Sequence, residues 1–308
     1  MELRQLRYFV AVAQTRNFTR AAEQLHIAQP PLSRQIQQLE DELGVQLLLR
    51  NSRPLRLTDA GRVFREQALQ ILARVEQMKT ATQRTGRNER SVLSIGFVAS
   101  TLYSGMPLLV RRLRQQRPEL DIQLLEMMSM DQMEALKTGR IDVGFGRVRA
   151  IDPAVERIVM REERLVVALP PTSPLAEGTG PLPLSAITGE TLIVYPKEPR
   201  PSFADQVLSL FADQGLRPKE IQEVRELQTA LGLVAADMGA CIIPSSVRLL
   251  RTDLCYRDLA DDHATSPIIM SYRANDHSSD IDLVKQLIGE MYAQEPAWLD
   301  GGPLRTGA

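Results

Sequence analysis

The sequence predicts an α/β protein in three parts: an N-terminal winged helix-turn-helix, one long linker helix, and a larger region of two doubly wound lobes. Three observations carry this. Residues 18–44, FTRAAEQLHIAQPPLSRQIQQLEDELG, hold two helical patterns around a short break. Phe64, Ala68, Ile71, Val75 and Met78 recur at spacings of 4, 3, 4 and 3. Beyond residue 91, strand-like and helix-like segments alternate, the mark of layered sheets with mostly parallel strands.

In the first part, Ala21, Ala22 and Leu25 give a short amphipathic helix. His26, Ile27 and Ala28 make the connection, with Ile27 as its apolar plug. Pro30 and Pro31 lack N–H groups and suit only a first helical turn. Leu32, Ile36, Leu39 and Leu43 then form an apolar stripe, and Gly44 ends the helix. The opposite side presents Gln29, Pro30, Ser33, Arg34 and Gln37. Arginine can bind guanine and glutamine adenine bidentately, and serine adapts to either. A polar helix face alone would be an ordinary surface. The small-residue first helix, the short turn and the proline-opened second helix together mark a motif that enters a DNA major groove. Residues 46–49 and 55–58 are apolar runs around a turn-forming Asn-Ser-Arg-Pro, hence a hairpin wing. Its Arg50, Arg53 and Arg56 are candidates for phosphate or minor-groove contact, the alternative being a solvated charged hairpin.

Charge is divided along the chain. Residues 1–90 hold 15 Arg and Lys against 9 Asp and Glu, a balance of +6. That leaves 22 basic and 29 acidic of the chain's 37 and 38, a balance of −7, which the net charge of −1 conceals. Before Lys79 every Arg or Lys is arginine, which suits forked, directional contacts.

The linker helix is expected from Asp59 to about Arg84, capped by Thr58 and stopped by Gly86. At about 1.5 Å per residue it spans roughly 40 Å, too long for a domain of this size to cover. Its heptad seam calls for a second copy, so that a dimer presents two reading heads; packing on the C-terminal part is the alternative. Residues 85–91, TGRNERS, read as a hinge.

In the first lobe, strands are expected at 93–97, 121–125 and 142–145, with helices at 106–116 and 129–138. In the second, strands fall at 165–169, 192–195, 220–224, 240–243 and 254–256, with helices at 203–214 and 227–237. A strand at 267–272 and a helix at 281–293 return to the first lobe. The division is 1–58, 59–90 and 91–308, with lobe I as 91–163 plus 267–308 and lobe II as 164–266. In such sheets ligands bind beyond the carboxyl ends of strands, near helix starts. Ser100, Thr101, Ser129, Gly146, Arg147, Ser202, Phe203, Gln228 and Thr229 occupy those positions. Hydroxyls, free helix N–H groups and an arginine suit a small carboxylate, with Phe203 over an apolar ligand body. Plain helix capping would place serine and threonine there too.

Catalytic and other classes fit poorly. The histidines are His26, His263 and His277, one in the turn and two in polar loops. No G-x-S-x-G, P-loop, CxxC or HExxH occurs. No metal or organic cofactor is implied. No run of about 18 apolar residues is present, so no transmembrane helix is expected. The start, MELRQLRYF, lacks the apolar centre of a signal peptide. Cys241 and Cys255 suit a reducing cytoplasm. A small-molecule enzyme or solute receptor carrying a helix-turn-helix-like packing module remains the competing class.

Residues 1–50 resemble the N-terminal pattern of LysR-type transcriptional regulators along their length. The resemblance continues through the linker, GRIDVGFGR and ELQTALGLVAADMGACIIPSS. HIAQPPLSRQIQQLE, SIGFVASTLY, YPKEPRPSFADQV and LQTALGLVAA resemble the muconate-responsive branch that governs catechol and benzoate degradation. The resemblance implies a periplasmic-binding-protein-like effector domain, a linker-helix dimer and a homotetramer on promoter DNA, with RNA polymerase a candidate partner. It implies an activator holding a dicarboxylate such as cis,cis-muconate between the lobes. Ser100, Ser129, Phe203 and residues 227–229 match that site, and Ser129 stands where threonine is usual. A chlorinated muconate or benzoate is left open. Arg147, Arg161 and Tyr292 match a second, aromatic-acid site found in some members. The tail, residues 298–308, carries no readable pattern.

Overall fold

The computed structural model describes residues 1–50, 52, 54–86, 91–274, 276 and 278–294, in two compact units, Met1–Glu89 and Arg90–Ala308. The hinge residues 87–90, Arg53, His277 and the tail lie outside the described residues.

The first unit contains α1 (Leu3–Thr15), α2 (Phe18–Gln24), α3 (Gln29–Leu43), β1 (Leu48–Leu49), β2 (Arg56–Leu57) and α4 (Asp59–Gly86). Asn17 caps α2, its Oδ1 accepting the Thr19 and Arg20 N–H groups. Ala28 opens α3 with both prolines in the first turn, and Gly44 closes it at φ 69°. Leu32, Ile36 and Leu39 are buried against α1 and α2 with Phe9, Val12 and Ala21; Leu43 is exposed. Each fully buried side chain contributes about 1.5–3 kcal/mol. Antiparallel β1 and β2 form the wing, Leu48 opposite Leu57. Thr58 Oγ1 accepts the Gly61 N–H at 2.9 Å, capping α4. A methyl group at Gly61 would collide with the Leu47 carbonyl, so this glycine lets the helix start against the wing.

Helix α1 was not among the expected elements, and it changes the reading of the seam. Phe64 and Ala68 of α4 pack on Leu6, Phe9 and Val10 of α1, with the Phe9 and Phe64 rings edge to face at 5.1 Å. The seam is therefore partly covered by its own chain. Val63, Ile71 and Met78 remain exposed.

The second unit contains β3 (Val92–Phe97), α5 (Met106–Gln116), β4 (Asp121–Glu126), α6 (Ser129–Lys137), β5 (Val143–Gly146) and β6 (Val155–Leu169). There follow α7 (Leu184–Ile187), β7 (Thr191–Val194), α8 (Phe203–Asp213), β8 (Glu220–Glu223), α9 (Leu227–Ala235), β9 (Ala240–Pro244), β10 (Cys255–Asp258), β11 (Thr265–Arg273) and α10 (Ser279–Ala293). The strand order is β4-β3-β5-β11-β6-β9-β7-β8, with β10 on β6. Within each half the outer strands run parallel, β4-β3-β5 and β9-β7-β8. The connecting strands β6 and β11 are antiparallel to each other and to their neighbours. The expected strand at 165–169 is thus the end of a 15-residue strand that passes through both lobes. Two apolar cores flank the crossing. One joins β3 and β5 to α5 and α10; the other joins β6, β7 and β9 to α8 and α9.

Candidate functional site: an exposed helix face and a buried polar cleft

On α3, Gln29, Pro30, Arg34 and Gln37 are exposed and Ser33 is half-buried, on the side away from the buried stripe. Gln37 Nε2 donates to Asp41 Oδ1 at 2.9 Å, so its amide is preoriented within the helix. Arg50 is exposed and is also held within its own unit. Its Nη2 donates to Glu40 Oε2 at 2.7 Å, and its guanidinium lies 5.8 Å from the Phe18 ring centre. Glu40 is buried and also accepts the Leu47 and Leu48 N–H groups at 2.8 and 3.1 Å. Arg50 therefore locks the wing to α3 and α2, with at most its remaining N–H groups available to a phosphate. Arg56 is exposed.

In the second unit a cavity of about 650 Å³ opens between the lobes. Its first-lobe wall includes Ser100, Met127, Ser129 and Arg147; its second-lobe wall includes Tyr195, Phe203 and Gln228. The volume is that of a site for a small molecule. Strand register explains the convergence. Parallel β3 and β5 end side by side, so the turn after β3 brings Ser100 beside Arg147, which follows β5. Ser129 begins α6, and Gly146 allows it close: a methyl at residue 146 would sit 2.8 Å from Ser129 Oγ.

Arg147 is the centre of this site. It is 2% exposed. Its Nε donates to Ser100 Oγ at 2.7 Å, its backbone N–H donates to Ser129 Oγ at 3.0 Å, and its Nη2 donates to Glu163 Oε2 at 2.6 Å. Ser100 is thus bound to the arginine side chain and Ser129 to the backbone N–H of residue 147, and neither caps its helix. Glu163, on β6, also accepts the Ser246 N–H at 2.8 Å and lies 3.6 Å from Arg161 Nη2. Burial alone would push the Glu163 carboxyl up. The two guanidiniums and the Ser246 N–H outweigh burial and hold it below the ordinary carboxylate value. Gln206 Nε2 donates to the Arg147 carbonyl and Ser266 Oγ to Gln206 Oε1, which ties α8 to both connecting segments. Around Glu163 stand two arginines, while the cavity wall sets Arg140, Arg147 and Arg225 against Glu126, Asp131 and Glu226, so any pull on an anion is local to Arg147.

Two expected residues lie elsewhere. Thr101 points away from the cleft: its Oγ1 donates to the Val98 carbonyl at 2.8 Å. Thr229 is exposed on α9 and does not line the cavity, although its neighbour Gln228 does. Ser202 caps α8, its N–H reaching Asp205 Oδ2 at 2.6 Å and its hydroxyl the Pro196 carbonyl. Tyr292 lines a separate cavity with Thr101, Met160 and Met291. That cavity is about 30 Å³, room for one water rather than an aromatic ring. Glu163, Gln206 and Tyr195 were not among the expected site residues. Among the described residues no helix is long and apolar enough to cross a membrane, and no group of three or more His, Cys, Asp and Glu could hold a metal ion.

Comparison with known proteins supplies the frame. Residues 3–62 match the model described as "Bacterial regulatory helix-turn-helix protein, lysR family", and residues 86–293 match "LysR substrate binding domain". A "Probable cat1 operon transcriptional activator" from Acinetobacter lwoffii is 64% identical over 300 residues, 97% of this chain and 99% of that protein. The "HTH-type transcriptional regulator CatR" from Pseudomonas putida is 51% identical over 291 residues, 94% of this chain and 99% of that protein. The solved "BenM effector binding domain with its effector benzoate" is 40% identical and covers 67% of this chain and 94% of its own, at a TM-score of 0.62.

Proposed function

Because the chain belongs to the LysR family of transcriptional regulators rather than to an enzyme family, we propose that it is an activator switched by a small dicarboxylate in the inter-lobe cleft. The proposed effector is cis,cis-muconate, and the proposed targets are genes for breakdown of aromatic acids. The observation that carries this reading is Arg147 on the wall of a 650 Å³ cavity, its buried guanidinium joined to Ser100 and its backbone N–H to Ser129. An anion there meets a fixed positive charge and two hydroxyls. The effector named for the BenM domain is benzoate, which supports a small carboxylate effector, and the operon named for the A. lwoffii activator supports the activator role. Ligand binding shifts a regulator only when it prefers one lobe arrangement; a cleft walled by both lobes is where such a preference arises.

Titration calorimetry of the full chain with muconate, chlorinated muconates and benzoate tests this. Muconate should bind tightest; a preference for benzoate would replace the dicarboxylate with a monoacid. Operator binding is assigned to Gln29, Ser33, Arg34 and Gln37, with the linker helix pairing two copies and a tetramer as the cytoplasmic form that meets RNA polymerase. Retardation of promoter DNA should weaken steeply with salt. Ile71→Asp puts a charge into the paired seam, where burial is costly. Sedimentation should then show smaller species, and an unchanged mass would remove Ile71 from the pairing surface.

A further inference from the structure

The polar atoms described so far centre on Arg147 and Glu163. A second set stands at the carboxyl ends of β7 and β9. These strands are parallel neighbours, Leu192 opposite Ala240 and Ile193 opposite Cys241, so Tyr195 and Ser245, one residue past each end, emerge at the same edge of the sheet. In the neighbouring half, Arg147 emerges one residue past β5. In such folds the space beyond these ends is where ligands are held.

Tyr195 is 8% exposed, Ser245 3%, Ser246 5% and Arg147 2%. The Tyr195 hydroxyl, the Ser245 and Ser246 hydroxyls and Arg147 Nη1 are all sealed from solvent, and none has a hydrogen-bond partner among the described residues. Buried polar groups are nearly always satisfied, so four unsatisfied ones at one edge call for an explanation. Two of the four residues meet at Glu163, which takes the Arg147 Nη2–H and the Ser246 N–H. Tyr195 forms part of the cleft wall, its ring tilted against Phe203 at 5.3 Å between centres. Every atom of the set can donate, the three hydroxyls can also accept, and none is a carboxylate. A carboxylate, which only accepts, can take several such donors at once.

We propose that Tyr195 is a specificity residue of the cleft: its hydroxyl, together with Arg147 Nη1, receives one carboxylate of the effector, and Ser245 and Ser246 complete that floor. This rests on the dicarboxylate reading above and assigns it a second contact surface, on lobe II. Because the four atoms are sealed in the present lobe arrangement, the carboxylate reaches them through a shift of the lobes. Ligand selection and lobe movement are thereby the same event. A diacid that spans from Ser129 to Tyr195 engages both lobes, whereas a monoacid of equal length satisfies one.

The test compares cis,cis-muconate with sorbate, a six-carbon dienoic monocarboxylate of trans,trans geometry, by calorimetry on the full-length protein and on Tyr195→Phe, so that the difference in shape cancels between the two proteins. Wild type should prefer muconate. In Y195F that preference should fall about tenfold through weaker muconate binding, with sorbate little changed. Without ligand, Y195F should melt no lower than wild type, because the hydroxyl it loses has no partner there. An unchanged muconate-to-sorbate ratio overturns the proposal while leaving the dicarboxylate reading intact. A clearly lowered melting temperature without ligand also overturns it, because the hydroxyl then has a partner in the free protein. Failure of wild type to bind either acid removes the dicarboxylate reading and this inference with it. Should Y195F fail to fold, Ser245→Ala reads the same ratio, with a drop of about threefold expected and no change overturning the proposal.

Discussion

The recognition face of α3 and the floor of the cleft both recognise by polar side chains, yet they hold them in opposite ways. On α3, Gln29 and Arg34 project into solvent from a helix fixed by the buried Leu32, Ile36 and Leu39. The scaffold is rigid and the side chains are available. In the cleft, Arg147 is buried and three of its N–H groups are already engaged, by Ser100, Ser129 and Glu163. Here the side chains themselves are the scaffold. The difference fits the two ligands: a groove of DNA arrives with its own shape and water, whereas a small anion needs a preset charge. Arg50 and Glu40 show part of the second style inside the first unit, an ion pair with its carboxylate buried and its guanidinium partly open to solvent.

If this contrast is right, the largest effect should come from the cleft and should appear as lost stability. Arg147→Ala leaves Glu163 buried with only Arg161 as a charged neighbour, at 3.6 Å. Breaking a buried pair costs about 3–5 kcal/mol. For a domain of this size that lowers the melting temperature by roughly 10 °C, as calorimetry would show. A drop of only a degree or two would mean that Arg161 takes over and that the cleft is less tightly built. The pH dependence follows from the same pair. Glu163 has its folded-state pKa depressed, so its contribution is complete above the ordinary carboxyl value of about 4.3 and is lost as pH falls toward the folded value. Glu163→Gln should flatten that part of the acid-unfolding curve; an unaltered curve would place the acid sensitivity elsewhere.

Arg34→Ala should behave differently. The residue is exposed, so the melting temperature should stay within a degree or so of wild type. Specific operator binding should weaken by about 1–3 kcal/mol, the value of one bidentate base contact. Binding to random DNA should change much less. Equal losses on both would make Arg34 a phosphate contact, and the two regions would then differ in burial alone.

The same contrast decides how much was legible in the sequence. Helix α3 was readable because its proline pair, apolar stripe and closing glycine are local signals. Most of the short strands and helices of the second unit were readable from alternation; β6 in its full length and the one-turn α7 were not. That strand begins Val155-Glu-Arg-Ile-Val-Met-Arg-Glu-Glu-Arg, whose charges read as solvent; Glu163 is buried only because Arg147 and Arg161 arrive from elsewhere in the chain or strand. Helix α1 escaped because it opens without a Ser, Thr, Asp or Asn cap, Glu2 taking that position. Position in the chain could point to the carboxyl ends of strands but could not choose between adjacent hydroxyls. Ser100 faces the arginine, and Thr101, one residue on, bonds its own backbone. Tyr195 carries no local signal at all, because its hydroxyl matters only through what β9 and β5 bring near it.

The smallest effect tests whether a scaffold side chain also binds. Ser129 Oγ accepts the Arg147 N–H, so its own hydrogen remains to be donated. Ser129→Ala removes that donor together with the acceptor for one backbone N–H. A hydrogen bond to a charged carboxylate worth about 1.5 kcal/mol corresponds to roughly tenfold in effector concentration. The activation curve should therefore shift to the right by about that factor, with its plateau unchanged, because Arg147 keeps its bonds to Ser100 and Glu163. A curve that overlays wild type would leave Ser129 as a fixture of the arginine alone. A lowered plateau without a shift would mean that Ser129 helps set the active lobe arrangement rather than hold the ligand. Gly146→Ala separates these outcomes: its methyl would press on Ser129 Oγ without deleting it. If position matters for binding, this variant should shift the curve in the same direction as Ser129→Ala, by a smaller factor.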